Sequence, residues 1–293
     1  MTDIKNRTAF VTGGASGMGL GIAKALAHAG ARVAIADIRD DHLEAAVATG
    51  QGEGVNLTPY RLDVTDRAAH SDVADAVERD LGAASIIILN AGIGVLGHIK
   101  DASYADWDWI MGVNLGGVLN GVRTFVPRLR ALNGGGHVLA TSSMGGLVVA
   151  DSGGIYSAAK FGVTAMMECL REDLAGDNIG VSVLCPAAVN TNIHQHHGMR
   201  PAAFADGKYT QSEEEAAQLK RMLSHGMDPD DVGALVVEAI VANKPFIFTD
   251  GGLAPVVRAR RDALIASLPD EPRNEARWQQ DLAMRQAMRD QAL

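Results

Sequence analysis

The sequence contains little cysteine and no cluster of basic residues. Two cysteines, Cys169 and Cys185, occur among 293 residues, which are too few for a disulfide framework and lack the paired spacing of a zinc site. The formal net charge is -9, and no Lys- and Arg-rich patch is present that would bind a phosphate backbone. We therefore expect no nucleic acid as a partner.

Apolar segments long enough to act as export signals or membrane anchors are also lacking. Residues 1–7 contain no apolar signal core, and no run reaches the roughly 18 apolar residues of a membrane span. These absences predict no membrane partner. Together with the scarcity of cysteine, they predict a cytoplasmic location.

Hydrophobic residues and glycine are abundant instead. Hydrophobic residues make up 47% of the chain and charged residues 21%, a balance that allows a sizeable buried core. Seven short apolar runs lie at residues 8–12, 32–37, 57–62, 86–90, 137–142, 180–185 and 246–249. Longer helical patterns alternate with them, and one of these patterns continues over residues 104–131. This alternation predicts an α/β fold of the doubly wound Rossmann type, a seven-stranded parallel sheet with helices on both faces.

The chain is expected to form one catalytic domain with two additions. No linker rich in Pro, Gly or Ser divides residues 1–250, so these residues are predicted to be a single nucleotide-binding domain. Residues 190–227 are long and polar where the alternation predicts a short connection, which is typical of a lid. Residues 251–293 form a C-terminal extension that we expect to pack on the body or on a partner subunit.

A glycine-rich turn follows the first predicted strand and precedes a helical pattern. In this position glycines let the backbone turn sharply and approach a pyrophosphate, whose charge the free N–H groups of the helix N-terminus stabilise. An ordinary glycine-rich turn is the alternative, but the strand–turn–helix context favours a nucleotide site. The expected cofactor-binding residues of the turn are Gly13, Ser16, Gly17, Met18 and Gly19.

Asp37 ends the second predicted strand and is followed by Ile38 at the same expected site. A carboxylate there can accept hydrogen bonds from the adenosine ribose and repels a 2′-phosphate. Ser16 carries no charge, and Arg39 is the only cation nearby in the sequence. The pattern predicts NAD as the cofactor, although Asp37 could instead cap the helix that starts near Asp40.

With these features, residues 4–250 resemble the short-chain dehydrogenase/reductase family. The motifs that carry the resemblance occur in the family's order: Thr12-Gly-x-x-x-Gly-x-Gly19, the adenine-contacting pair Asp63-Val64, the turn Asn90-Ala91-Gly92, the helix asparagine Asn114, the serine Ser143, and Tyr156-Ser-Ala-Ala-Lys160. The resemblance also implies that Val189 and Thr191 meet the nicotinamide carboxamide. Leu89 and Ala187 depart from the family's frequent Asn and Gly at their positions.

The chemistry of the last motif follows from its spacing. Tyr156 and Lys160 are four residues apart on a predicted helix, so their side chains share a face. Tyrosine titrates near 10, so a phenolate base at neutral pH needs stabilisation, which Lys160 and the positively charged nicotinamide would provide. Tyr156 would then take the substrate's hydroxyl proton while Ser143 hydrogen-bonds the oxyanion.

The resemblance adds further roles to these side chains. It implies that Lys160 holds the nicotinamide ribose, that Asn114 orders a water linking Lys160 to solvent, and that Ser143 rather than Ser142 is the catalytic serine, because it lies thirteen residues before Tyr156. Each residue alone fits an ordinary structural role. A nucleotide-sensing regulatory protein would not need Ser143, Tyr156 and Lys160 together, so the combination predicts an NAD-dependent alcohol dehydrogenase.

The substrate is suggested by residues 106–128, the long lid and the extended tail, which resemble bacterial Cα-dehydrogenases of lignin β-aryl ether breakdown. This resemblance implies oxidation of a benzylic secondary alcohol to an aryl ketone; a hydroxysteroid or 3-oxoacyl substrate is the alternative. The small apolar residues 144–149 either face a bulky aromatic substrate or form a packing turn.

The three histidines of the predicted lid do not form a metal-binding pattern. His194, His196 and His197 have no carboxylate or cysteine partner at ligand spacing, so no metal is expected. The family resemblance implies a homodimer or homotetramer.

Overall fold

Seven parallel strands form one sheet in a computed structural model that describes residues 2–149, 152–269 and 274–291. The strands are β1 (Thr8–Thr12), β2 (Arg32–Asp37), β3 (Leu57–Arg61), β4 (Ala84–Leu89), β5 (Gly136–Thr141), β6 (Ile179–Cys185) and β7 (Phe246–Phe248). Their order across the sheet is β3-β2-β1-β4-β5-β6-β7. The predicted doubly wound parallel fold is confirmed, and strand ends differ from the prediction by at most two residues.

Helices connect successive strands, as a parallel sheet requires. They are α1 (Gly17–His28), α2 (Asp40–Gly52), α3 (Arg67–Leu81), α4 (Tyr104–Met111), α5 (Gly117–Ala131), α6 (Gly154–Asp173), α7 (Glu213–Leu223) and α8 (Pro229–Ala242). The segment between β6 and α8 contains α7 and the 3₁₀ turns Ile193–Met199 and Ala202–Phe204. The stretch predicted to be a lid therefore has helical structure of its own.

Both faces of the sheet are buried at its central strands β1 and β4, which explains why these strands contain no alternation of buried and exposed residues. Phe10 and Ile87 point into one core, whereas Val11 and Ile88 point into the other, and all four are 0% exposed. Because successive strand residues face opposite sides, burial on both sides selects apolar residues at every position.

The chain divides into two compact units, Met1–Leu253 and Ala254–Leu293. The sheet and its helices belong to the first unit. The second contains α9 (Ala254–Ala266) and α10 (Glu275–Gln291).

A crevice is expected where the strand order reverses. β1 and β4 are neighbours in the sheet but not in the sequence, so the connections after them leave toward opposite sides. In doubly wound sheets, ligands bind outside the carboxyl ends of the strands at such a point. The residues after β1 and β4 should therefore form the site.

Candidate active site

The turn after β1 lies directly against the turn after β4. Gly13 has φ +60°, and a Cβ there would lie 2.9 Å from the Cα of Ala91, so a side chain would be both strained and obstructed. Asn90 Nδ2 donates to the carbonyls of Thr12 and Gly13, each at 3.3 Å. Gly19 lies behind the turn, where a Cβ would meet Gly13 O at 1.9 Å. The glycines thus let two loops and the start of α1 pack together.

Asp37 ends β2 and faces the same crevice. Its Oδ1 accepts the backbone N–H of Arg39 at 3.1 Å, and Arg39 itself is the N-cap residue of α2. Asp37 therefore does not cap α2, which was the alternative interpretation. Burial raises the pKa of Asp37 above its ordinary value, against the opposing effect of hydrogen bonds from backbone N–H groups. The Arg39 guanidinium pairs with Asp41.

The structure separates the two adjacent serines after β5. Ser142 Oγ donates to Lys160 O at 2.9 Å, and the residue is 1% exposed. The Ser143 side chain instead hydrogen-bonds that of Tyr156 and accepts the N–H of Gly145 at 3.1 Å. Ser143 is therefore the serine that faces the tyrosine, as the family spacing implied.

Tyr156 and Lys160 lie one turn apart near the start of α6. The Lys160 ammonium donates to Thr141 O at 2.9 Å and lies 5.7 Å from the centroid of the Tyr156 ring. Burial lowers the pKa of Lys160 to about 8. Burial also raises the pKa of Tyr156 above its ordinary value, and the hydrogen bond with Ser143 only partly opposes this. The protein's own groups thus keep Tyr156 protonated at neutral pH.

Asn114 occupies a π-helical turn, Gly112–Gly116, between α4 and α5, where the sequence predicted one continuous helix. Its side chain is fully buried; it donates to Ile93 O at 3.0 Å and accepts the Ile93 N–H at 2.9 Å. A Cβ at Gly92 would lie 2.8 Å from Asn114 Oδ1 and 3.4 Å from Lys160 Nζ. The π turn, of a kind common at functional sites, therefore brings Asn114 beside Lys160 and the loop after β4.

One cavity of about 220 Å³ joins most of these residues. The sequence-predicted residues on its wall are Gly13, Ser16, Gly17, Met18, Asp37, Ile38, Asp63, Val64, Asn90, Ala91, Gly92, Asn114, Tyr156, Lys160 and Thr191. Gly19, Ser143 and Val189 are not on the wall: Gly19 packs behind the turn, Ser143 contacts Tyr156, and Val189 is 3% exposed and pairs with Met227.

A further group of cavity residues comes from α4 and the predicted lid, and the sequence singled out only its histidine. This group, the lid-side wall, contains Trp109, Ile193, Met199 and Pro201, with His196 among them. Apart from the histidines, nothing in their spacing marks them as site residues.

A buried ion pair holds the lid on α4. Asp106, which is 0% exposed, accepts a hydrogen bond from Arg200 Nη2 at 2.8 Å and from the backbone N–H groups of Lys208 and Tyr209 at 2.8 and 3.2 Å. Burial favours the neutral acid, but hydrogen bonds, beginning with those from Ser103, outweigh it and lower the pKa of Asp106 to about 2. The pattern Ser103-x-x-Asp106 is a capping box, the only sequence signal that this carboxylate is fixed in place.

Residues 2–149, 152–269 and 274–291 offer neither a cluster of metal ligands nor a membrane-spanning helix. Within these ranges no three His, Cys, Asp or Glu side chains are grouped so as to hold a metal ion. In the same ranges no helix combines the length and apolar character needed to span a bilayer.

The parallel sheet, the glycine-rich turn and the Ser143, Tyr156 and Lys160 grouping together define a class of protein. Residues 7–200 match the short chain dehydrogenase family, and the chain belongs to it and is an oxidoreductase. It is 40% identical over 248 residues to the C alpha-dehydrogenase of Sphingobium sp. (strain NBRC 103272 / SYK-6), which covers 84% of this chain and 81% of that protein.

Two solved structures are similar over nearly the whole chain. A short chain dehydrogenase/reductase from Burkholderia phymatum, solved in complex with NAD, has a TM-score of 0.85 and 32% identity over 94% of this chain and 100% of that one. The apo form of LigO from Sphingobium sp. strain SYK-6 has a TM-score of 0.78 and 37% identity over 99% of this chain and 97% of that one.

Proposed function

We propose that this protein is an NAD-dependent alcohol dehydrogenase that oxidises the benzylic Cα hydroxyl of a lignin-derived β-aryl ether to a ketone. The observation that carries the chemistry is the hydrogen-bonded pair Ser143 and Tyr156 with the Lys160 ammonium 5.7 Å from the tyrosine ring. Tyr156 and Lys160 line the cavity that extends to the glycine-rich turn.

The residues at the other end of the cavity fit a dinucleotide. The turn residues Gly13, Ser16 and Gly17 line the cavity at the N-terminus of α1, where free backbone N–H groups can bind a pyrophosphate. The Asp37 carboxylate on the cavity wall suits two free ribose hydroxyls, whereas the neighbouring Arg39 is already paired with Asp41. The structural similarity to an NAD complex supports the same cofactor.

When bound, NAD supplies the hydride acceptor and a positive charge near the tyrosine. The Tyr156 hydroxyl must lose its proton before Oη can accept the proton of the substrate alcohol, and burial opposes this loss by raising the pKa of Tyr156. The added positive charge lowers that pKa. Ser143 Oγ donates a hydrogen bond to the substrate oxygen as negative charge develops there. We assign Asn114 to a proton path from Lys160 because it lies beside the ammonium.

The choice of an aryl ether rests on two independent features. A relative 40% identical over most of both chains is named a C alpha-dehydrogenase. The lid-side wall of the cavity contains Trp109, Ile193, Met199 and Pro201, which suit an uncharged aromatic group. Binding of the remote ring would hold the carbinol hydrogen in the reactive position.

A substrate panel followed by NADH absorbance tests this proposal. We expect a guaiacylglycerol guaiacyl ether, in both diastereomeric forms, to give a higher kcat/KM than a hydroxysteroid, a 3-hydroxyacyl thioester or short secondary alcohols. If the thioester or the steroid gave the highest kcat/KM and the ethers gave none, the substrate would be wrong while the dehydrogenase chemistry remained.

We also propose a cytoplasmic homodimer or homotetramer, with residues 254–293 packing on the body or on a partner subunit. Sedimentation of the full chain and of a chain ending at Leu253 tests this, and we expect a smaller or less stable assembly for the short form. Equal mass and equal thermal stability of the two forms would contradict the packing role.

A further inference from the structure

His196 is the polar side chain of the lid-side wall that the proposed mechanism does not use. It lies in the 3₁₀ turn Ile193–Met199, and its Nδ1 accepts the backbone N–H of Gly94 at 3.1 Å. A Cβ at Gly94 would lie 2.7 Å from Ile193 Cγ1, so the glycine permits this approach. The imidazole is thus held by the loop that follows β4.

This hydrogen bond determines which ring nitrogen carries the proton. A backbone N–H can only donate, so Nδ1 is the unprotonated acceptor and the neutral ring has its proton on Nε2. Burial and the neighbouring histidines, His194, His197 and His42, lower the pKa of His196 to about 4. At neutral pH the ring is therefore uncharged and offers one N–H donor.

That donor remains available. Among the described residues no group accepts a hydrogen bond from His196 Nε2, and this nitrogen is accessible to solvent. His196 lines the cavity beside Ile193, Met199, Pro201 and Trp109. An imidazole N–H donor among mainly apolar and aromatic groups is complementary to an uncharged aromatic ligand that carries an oxygen acceptor.

We propose that His196 determines substrate specificity by donating its Nε2–H to an ether oxygen of the substrate, either the linking aryl ether or a ring methoxy group. This inference rests on the proposed function and deepens it. Both oxygens are uncharged acceptors attached to an aromatic ring, so the same donor suits either one.

Two substitutions separate this role from the contact with Gly94. In His196→Asn, the amide oxygen can replace Nδ1 as the acceptor for the Gly94 N–H, but the side chain is too short to replace Nε2. In His196→Gln, the amide N–H can reach the position of Nε2. The substrates are a methoxylated β-aryl ether alcohol, its analogue with CH₂ in place of the linking oxygen, and its analogue with ethyl in place of one methoxy group.

The wild-type enzyme should prefer the parent ether to one of the two analogues by up to about tenfold in kcat/KM, the effect of one net hydrogen bond. The analogue with the lower kcat/KM identifies the oxygen that accepts the hydrogen bond, because it is the analogue that lacks this oxygen. His196→Asn should abolish the preference, with a smaller loss of kcat/KM for that analogue than for the parent ether, whereas His196→Gln should retain most of the preference. Equal losses for all three substrates in His196→Asn, or no loss for any, would overturn the inference.

Calorimetric binding of the same compounds to the NAD-loaded enzyme separates this inference from the proposed function. If the wild type oxidises none of the aryl alcohols, the proposed function fails. Tighter binding of the parent ether to the wild type, with the difference lost in His196→Asn, would still support the His196 assignment. If the NAD-loaded wild type bound the parent ether and both analogues with equal affinity, or bound none of them, the His196 assignment would be refuted.

Discussion

The contact between the lid and α4 should depend on one carboxylate. We consider Asp106→Asn, which keeps the size of the side chain and removes its charge. The wild-type carboxylate accepts three hydrogen bonds from the lid, from Arg200, Lys208 and Tyr209, and is 0% exposed. An amide in its place presents an NH₂ group to some of these donors and leaves the buried Arg200 without a countercharge.

Two routes give a similar magnitude for this change. The pKa of Asp106 is lowered from 3.8 to about 2, and at about 1.4 kcal/mol per pKa unit the native structure favours the charged form by about 2–3 kcal/mol. Removing one partner of a buried ion pair typically costs about 3–5 kcal/mol. A value near 3 kcal/mol corresponds to a roughly 100-fold shift of the lid toward its open form.

Hydrogen exchange measures that shift directly. The amides of Lys208 and Tyr209 donate to Asp106, so peptides covering residues 200–212 should exchange about 100-fold faster in Asp106→Asn, while peptides from β1 and β4 should not change. The KM for the alcohol should rise with little change in NAD affinity. Asp108→Ala, at an exposed position of the same helix, is the matched control. If peptides covering residues 200–212 of Asp106→Asn exchanged at the wild-type rate, the reasoning would be refuted.

The pH dependence of this contact has a definite sign. Because the folded-state pKa of Asp106 is depressed to about 2, its stabilising contribution is fully present above the unfolded value near 3.9. The contribution is lost progressively as the pH falls below that value and through about 2. Amide hydrogen exchange of residues 200–212, corrected for the intrinsic exchange rate, should therefore show no effect of Asp106 titration between pH 6 and 8.

Three further predictions concern the rest of the site. Because Asp37 opposes a 2′-phosphate, kcat/KM should be at least about tenfold higher with NAD than with NADP, and a higher value with NADP would contradict this assignment. Tyr156→Phe should lower kcat by about 10² to 10⁴ with NAD binding retained; Ser143→Ala should be severely impaired and Ser142→Ala only mildly, and near-normal kcat in folded Tyr156→Phe would exclude the tyrosine as the acid/base. Purified enzyme should keep its activity after chelation, and stoichiometric zinc with activity lost on chelation would show that the site needs a metal.

The sequence predicted the sheet and the residues at its carboxyl edge well because both depend on local patterns. Burial on both faces makes central strands such as β4 continuous apolar runs, and a parallel sheet brings the residue after each strand to one edge. Asp37 and Asn90 therefore reach the cavity by their position along the chain. The spacing of Tyr156 and Lys160 is likewise a local property of α6.

Other features depend on contacts distant in the sequence and could not be predicted in the same way. Asp106 and Arg200 are 94 residues apart and His196 and Gly94 are 102 apart, and neither pair belongs to a short motif. The π turn at Asn114 was also missed, because its apolar pattern continues through α4 and α5 and a helix with one extra residue in a turn leaves little trace in periodicity.

The two ends of the cavity are therefore built by different means, and this has a functional consequence. The cofactor end and the tyrosine are fixed by strand ends and by the start of α6, which the buried sheet holds in place. The contacts that hold the lid-side wall include the Asp106 ion pair and the hydrogen bond between Gly94 and His196, both made between residues distant in the sequence. Substitutions in residues 193–201 can thus alter the shape and polarity of the substrate pocket without moving Tyr156 or Lys160. The physical basis for substrate choice among such enzymes should lie in this segment rather than in the shared catalytic residues.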